Sequence, residues 1–378
     1  MPQPLSGRSI LMLLDNPCNP DWRVTKEAAA LVAAGATVTI LAWDRAGGLP
    51  AHEMKDGATI ERIHVDRPDS VPGKVISAGK VWRAFWQRAG ALKFDAVHAH
   101  DFSTLPIAAA ISARRRVPLV YDAHEIYWLM VRNSTPRGLQ AVMRRSEIAL
   151  LRRVDRLVTV SGYLADYFAP HHRRVTVVGN WYDPVAPDAH AGAVLRAELG
   201  IAPEMFCIAC IGSLGPERMH GLLVDYAAAD PSTAILIAGR GAGEAAVRDA
   251  ARRLPNVHFA GWRSDPDPLY AAADALFYGL DGDDPYSRIS SPNTLFLSIA
   301  RQIPLICTDT GEAGAVIAQS GAGEVLRPPS VAAMRDAVAA LRDPHRREQV
   351  RDALAGLQQT YTWQRAAERL VGVYTSLD

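Results

Sequence analysis

Cysteine is scarce. Four thiols (Cys18, Cys207, Cys210 and Cys307) in 378 residues are too few for a disulfide framework and fit a reducing compartment. Cys207 and Cys210 form a CxxC, yet they lie inside the apolar run from Met205 to Ile211 with no second ligand pair nearby. They read as small core residues of a buried strand rather than as zinc or redox ligands. Charge of one sign is missing too: the formal net charge is +1, which removes any bulk electrostatic case for nucleic acid as a partner. No apolar run approaches the ~20 residues that span a bilayer. The N-terminal MPQPLSGRS has no signal-peptide pattern, so the expected location is the cytoplasm.

Several chemistries lack their motifs. The turn after the first apolar run is Asp15-Asn16-Pro17-Cys18-Asn19-Pro20, without the glycines that cradle a dinucleotide. There is no Walker sequence, no G-x-S-x-G elbow and no H-E-x-x-H, which sets aside P-loop NTPases, α/β-hydrolases and zincins. Asp281-Gly282-Asp283 could pass for an Asp-x-Asp metal site, but its surroundings, Gly279 to Pro285, read as a loop.

What is present is alternation. Short apolar, β-rich runs at 9–14, 37–41, 60–65, 96–100, 119–122, 157–161 and 175–178 are separated by stretches with helical periodicity, the first of them Thr25 to Ala34. After Asn180 a Pro- and Gly-interrupted stretch reads as a linker. A second series follows at 206–211, 234–238, 257–260, 275–277 and 304–307. Such a pattern predicts two α/β units with parallel sheets covered on both faces, divided at 1–184 and 185–360. Residues 361–378 form a last amphipathic helix. Ligands in these sheets bind beyond the carboxyl ends of the strands.

Three places have the composition of a site. His98, His100 and Asp101 end one strand, and Asp122, His124 and Glu125 end the next. Either these histidines make local hydrogen bonds or they carry the chemistry. The third place is Gly212-Ser213-Leu214-Gly215-Pro216-Glu217-Arg218, a glycine-bearing turn followed by a cation, which suits a diphosphate if it is not a plain solvated turn.

Taken in order, these segments resemble the retaining GT-B glycosyltransferases of the family that contains sucrose synthase and the bacterial phosphatidylinositol mannosyltransferases (glycosyltransferase family 4-like). The resemblance covers nearly the whole chain. It rests on Asp21-Trp22-Arg23-Val24 ahead of the first helix, on 94–101, 120–125 and 177–180, and on Ile211-Gly212-Ser213-Leu214, Leu236-Ile237-Ala238-Gly239 and 257–261. Ser291-Pro292-Asn293-Thr294-Leu295-Phe296 leading into Ile303-Pro304, and Tyr361-Thr362-Trp363, complete it.

The resemblance implies two Rossmann-like domains facing each other across a cleft, with the C-terminal helix crossing back to the first. It implies transfer of a sugar from a UDP- or GDP-sugar, as co-substrate and with no cofactor and no bound metal, to a small-molecule or lipid-linked acceptor. His124, with His100 beside it, would be the catalytic group. Gly212, Ser213, Leu214, Arg218, Gly239, Ser291, Asn293, Thr294 and Leu295 would bind the donor, and Asp21, Arg23, Asp101 and Glu125 would face the acceptor. Three positions depart from the family pattern: Ser213 replaces an arginine, and Ile289 and Leu297 replace two glutamates, one for the donor sugar and one for its ribose. A charged hydrogen bond contributes roughly 1.5–3 kcal/mol. A catalytically impaired relative that only binds a nucleotide sugar or a partner, or a GT-B enzyme of other chemistry such as an epimerase, therefore stays open.

One surface has its own two readings. Lys74, Lys80, Arg83, Arg88 and Lys93 alternate with Trp82, Phe85 and Trp86. Such a helix either lies in a membrane interface, giving peripheral contact through 74–93, or packs its aromatics on the sheet.

Overall fold

The computed structural model describes residues 3–68 and 70–377, which form two compact units. The first runs to Asn180 and takes in the segment from Gln364 onward; the second is Trp181–Trp363.

The first unit is built on a mixed eight-stranded sheet of β1 (Ser9–Leu14), β2 (Thr37–Asp44), β3 (His52–Lys55), β4 (Ala58–His64), β5 (Ala96–His100), β6 (Leu119–Ala123), β7 (Arg156–Thr159) and β8 (Val175–Val177). Their order is β3-β4-β2-β1-β5-β6-β7-β8. All neighbours are parallel except the β3–β4 hairpin, so the expectation of a parallel sheet needs correcting at this edge. The sequence His-Glu-Met-Lys of β3 is charged and half exposed, and it gives no apolar run to read. The central strands are covered on both faces, which is why β1, β5 and β6 read as continuous apolar segments. Chain order reverses direction between β1 and β5, and the loops after those two strands flank the crevice where doubly wound sheets hold ligands.

The first helix is Trp22–Ala33, not 25–34. Asp21 caps it, its carboxylate accepting from the Val24 N–H, so Trp22-Arg23-Val24 is the first turn and not a lead-in. The helix Val71–Ala91 turns its aromatics inward: Phe85 is 1% exposed, and Trp82 donates to the Ser103 carbonyl at 3.0 Å. Phe85 is thus taken up by the core and Trp82 and Trp86 are partly buried against it, whereas Val75 and Ile76 stay exposed. Among the described residues no helix is long and apolar enough to cross a membrane. The last helix, Trp363–Thr375, buries Ala366, Leu370, Val373 and Tyr374, and the Tyr374 hydroxyl lies 2.7 Å from His98 Nδ1.

The second unit carries a six-stranded parallel sheet of β9 (Phe206–Ser213), β10 (Thr233–Arg240), β11 (Val257–Gly261), β12 (Ala275–Tyr278), β13 (Leu305–Thr308) and β14 (Gly323–Leu326), ordered β11-β10-β9-β12-β13-β14. Its direction reverses between β9 and β12. Cys207 and Cys210 both lie in β9, where residues three apart project to opposite faces, so they cannot chelate one ion. Burial pushes their thiols up to about 12 and about 11. The unit begins at Trp181, whose ring meets Tyr361 edge-on at 5.3 Å, a few residues before the sequence-based boundary.

Candidate functional site

In the first unit the register decides the site. His100 lies opposite Asp122 across β5 and β6, and His124 follows Asp122 by two residues, so all three gather at one sheet end. His124 Nε2 is 2.9 Å from Asp122 Oδ2 and its Nδ1 is 3.3 Å from Asp101 Oδ2, while its backbone N–H donates to Asp101 Oδ1 at 3.1 Å. Burial opposes charge on the ring, but the Asp101 and Asp122 carboxylates outweigh it and hold His124 up at about 10. His124 is thereby a fixed cation at neutral pH, and 18% of its side chain is exposed.

Asp101 holds a left-handed backbone (φ +61), a strained choice for a non-glycine residue; it opens the helix Asp101–Arg115 and aims its carboxylate at His124. Burial lifts Asp101 to about 6 and, with the Asp101 charge, Glu125 to about 7.

Behind this front lies a buried polar layer. Asp122 accepts from Arg23 Nε at 2.9 Å and from Arg23 Nη2 at 2.8 Å; Arg23 Nη1 reaches the Val178 carbonyl at 2.8 Å and Asn180 Oδ1 at 3.0 Å. Its Nη2 also pairs with Glu27 at 2.9 Å. With Nε, Nη1 and Nη2 all hydrogen-bonded inside the unit, Arg23 does not face an acceptor as expected; it locks Asp122 and ties the end of the unit to the first helix. Although burial alone would raise Asp122, Arg23 and His124 keep its carboxyl well below the usual range. Asp21 is likewise engaged, capping the helix and accepting from Asn16 Nδ2 at 2.7 Å. His100 is 1% exposed, 3.3 Å from His124 Nε2, and burial keeps it neutral; it stands behind His124 rather than beside it at the surface.

Glu27, His98, His100 and Asp122 each bring a ligand atom within 4.8 Å of the others, the spacing that could hold a cation. The Arg23 guanidinium already supplies the positive charge there, against both carboxylates.

In the second unit, Gly212 and Ser213 end β9 and Arg218 follows at the point of reversal. The Arg218 guanidinium stacks 4.3 Å over the Tyr278 ring, and its segment bridges Leu280 beyond β12. Its Nε is buried without a hydrogen-bond partner, the Glu217 carboxylate standing 3.9 Å away. Leu214, expected to offer its amide to phosphate, is fully buried and donates that N–H to the Arg240 carbonyl at 3.0 Å. Gly239 serves packing: a Cβ there would lie 1.7 Å from the Gly212 carbonyl oxygen. The helix Asn293–Arg301 starts at this same sheet end, and no side chain caps it. Asn293 is exposed at its tip, Thr294 and Leu295 are buried, and the buried Ser291 hydroxyl has no well-formed hydrogen bond, with the Glu312 carboxyl as its neighbour.

Sequence reasoning quoted Asp122 without giving it a role, read Tyr374 only as part of the apolar stripe of the last helix, and passed over Glu27 and Tyr278. Only Asp122 left a signal, its spacing of two from His124 on a strand. A separate cavity of about 1170 Å³ opens at the other end of the second sheet, bounded by Asp274 and Pro304 just before β12 and β13.

Comparison with known proteins adds what geometry cannot. Residues 20–181 match the model of a glycosyl transferase 4-like domain, and residues 206–343 that of glycosyl transferases group 1. Among curated proteins, the chain is similar to D-inositol 3-phosphate glycosyltransferases. That of Nocardia farcinica is 26% identical over 75% of this chain and 66% of its own length; that of Segniliparus rotundus is 27% identical over 40% and 36%. The chain thus spans between about a third and two thirds of the length of these relatives. Among solved structures, sucrose-phosphate synthase from Thermosynechococcus elongatus superposes with a TM-score of 0.72 at 15% identity, covering 97% of this chain and 98% of that one. Anabaena HepE in complex with UDP gives 0.73 at 17%, covering 97% and 100%. At these identities the likeness shows the fold, which is GT-B.

Proposed function

The chain belongs to the glycosyltransferase 4-like family, and we propose that it transfers a hexosyl group from a uridine diphosphate sugar to an acceptor hydroxyl with retention. The observation that carries this reading is Arg218, a cation whose buried Nε has no hydrogen bond and only a long 3.9 Å ion pair to Glu217, at the switch point of a six-stranded parallel sheet. That is where doubly wound units take phosphorylated ligands, and an arginine can pair two phosphate oxygens at once. The uncapped start of the helix Asn293–Arg301 adds the favourable end of a helix dipole. Structures of HepE with UDP and with UDP-glucose support the choice of base.

In the reaction the bond from the anomeric carbon to the diphosphate breaks, and a bond from the same carbon to the acceptor oxygen forms on the same face. The acceptor proton leaves on the diphosphate, giving UDP and a glycoside. Charge develops on the leaving group, so Arg218 and the helix start supply the main stabilisation. His124, held charged by two carboxylates, keeps its Nε2 on Asp122 and offers its Nδ1–H, 3.3 Å from Asp101, to a substrate hydroxyl. Asp101 and Glu125 present acceptor oxygens to the incoming substrate.

The test is calorimetric titration with UDP and UDP-sugars, followed by a UDP-release assay with candidate acceptors. Arg218→Ala should weaken UDP binding at least tenfold, about 1.4 kcal/mol. His124→Ala should leave UDP binding in place and cut turnover by roughly 10²–10³. Unaltered UDP affinity in Arg218→Ala, or no binding by the wild type at millimolar UDP, would sink the reading. The anomeric configuration of the product, read by NMR, decides retention.

A further inference from the structure

We infer that Glu312 is a ligand-binding carboxylate of the second unit, accepting a hydrogen bond from a hydroxyl of the bound nucleotide sugar; the inference rests on the donor reading above.

Glu312 is the second residue of the helix Gly311–Ser320, which leaves the carboxyl end of β13. Its backbone N–H donates to the Ser290 carbonyl at 3.0 Å. The helix start is pressed hard onto the 287–290 turn. Gly311 has φ +64, and a Cβ there would lie 2.8 Å from the Ser290 oxygen and 2.9 Å from the Ser287 oxygen. From that turn the Ser290 hydroxyl lies 3.0 Å from the Tyr278 hydroxyl, and the Tyr278 ring lies under Arg218. A continuous set of contacts therefore joins Glu312 to Arg218 across the ends of β9, β12 and β13.

Three buried polar atoms in this set have no well-formed hydrogen bond: Arg218 Nε, whose nearest carboxylate oxygen, Glu217 Oε1, stands off at 3.9 Å, and Ser291 Oγ and Glu312 Oε2, whose side chains neighbour one another. Folded proteins leave few such atoms, and a group of them at one sheet end marks a place where something else binds. Burial pushes the Glu312 carboxyl up to about 7 against the pull of the neighbouring Ser291 hydroxyl, as expected of an anion short of donors.

Several other carboxylates near this end are in use, and Glu217 lies 3.9 Å from Arg218 Nε. Asp309 is held by Arg327 at 2.7 and 2.9 Å. Asp284 accepts from the Ser287 N–H and hydroxyl at 3.0 and 3.1 Å, and Asp281 accepts from the Asp283 N–H at 3.0 Å. Ile289 and Leu297 offer no oxygen.

The chemistry of the ligand follows from the signs. A carboxylate repels a diphosphate, which Arg218 attracts, so the two groups sort a nucleotide sugar into its anionic and its neutral, hydroxyl-bearing parts. The hydroxyl partner of Glu312 belongs either to the ribose or to the transferred sugar, and deoxy and sugar-free probes distinguish them.

Calorimetric titration of wild type, Glu312→Gln and Glu312→Ala with UDP, 2′-deoxy-UDP and UDP-glucose makes the test, with thermal midpoints recorded for each variant. A loss of tenfold or more for UDP-glucose in Glu312→Gln, at an unchanged midpoint, is expected. If UDP weakens as well while 2′-deoxy-UDP does not, the partner is the ribose; if UDP is unaffected, it is the transferred sugar. Either result supports the assignment. Should Glu312→Gln prove unstable, Glu312→Asp is expected to fold and to bind UDP-glucose more weakly than wild type. Wild-type affinity for all three probes in the folded variants, with Arg218→Ala still defective, overturns the role of Glu312 and leaves the donor reading intact. A wild type that binds none of the three removes the donor reading and the inference together.

Discussion

At His124 two carboxylates fix the charge of one imidazole, and the consequences can be measured separately from any reaction. The folded-state pKa near 10 lies above the ordinary value of about 6.5. The stabilisation it brings is complete below pH ~6.5 and is lost as pH rises through 10. Nitrogen-15 shifts of His124 should report the doubly protonated ring through pH 8, and Asp101→Asn should lower that midpoint. Unfolding free energy should decline from neutral pH toward pH 10, and His124→Gln should flatten that part of the profile. The Arg23–Asp122 pair behind it is a different case, since removing one partner strands the other in the interior. Arg23→Met should therefore destabilise the first unit by roughly 3–5 kcal/mol in denaturant titration. A small effect, under about 1 kcal/mol, would mean that water replaces the guanidinium.

At the scale of elements, legibility followed burial. Strands covered on both faces showed as apolar runs, and the two strand ends with histidines showed as polar breaks in them. The hairpin strand β3 did not show, because an edge strand with one wet face and four polar or flexible residues has no signature. Within the site, His124 and Arg218 were legible from local motifs. The layer that holds His124 was not, because Arg23 meets Asp122 across 99 residues and Tyr374 meets His98 across 276. Nor was the engagement of the Leu214 amide by Arg240, which depends on the pairing of β9 with β10. Gly239 tests that pairing directly. A methyl at this position would overlap the Gly212 carbonyl, and φ +147 already disfavours a side chain. Gly239→Ala should lower the stability of the second unit by more than 2 kcal/mol in denaturant titration.

For the whole molecule, chain order and spatial grouping differ in a way that can be exploited. The second unit occupies one continuous stretch, Trp181–Trp363, whereas the first is assembled from both ends of the sequence. Ending the chain at residue 363 removes Leu370, Val373 and Tyr374, buried to within 3% of complete, from the first unit alone. Each large apolar side chain of this kind contributes roughly 1.5–3 kcal/mol. It also strips His98 Nδ1 of its Tyr374 partner, and an orphaned buried group costs a further ~1–3 kcal/mol. The truncated protein should show a calorimetric transition for the first unit that is lowered or lost, with the second unit's transition unchanged. On the donor reading, UDP should still raise that second transition, by about 2.7 kcal/mol at a hundredfold excess over Kd. If the truncation instead melts both units together, the two sheets fold as one cooperative block, and the helix from Gln364 onward supports both.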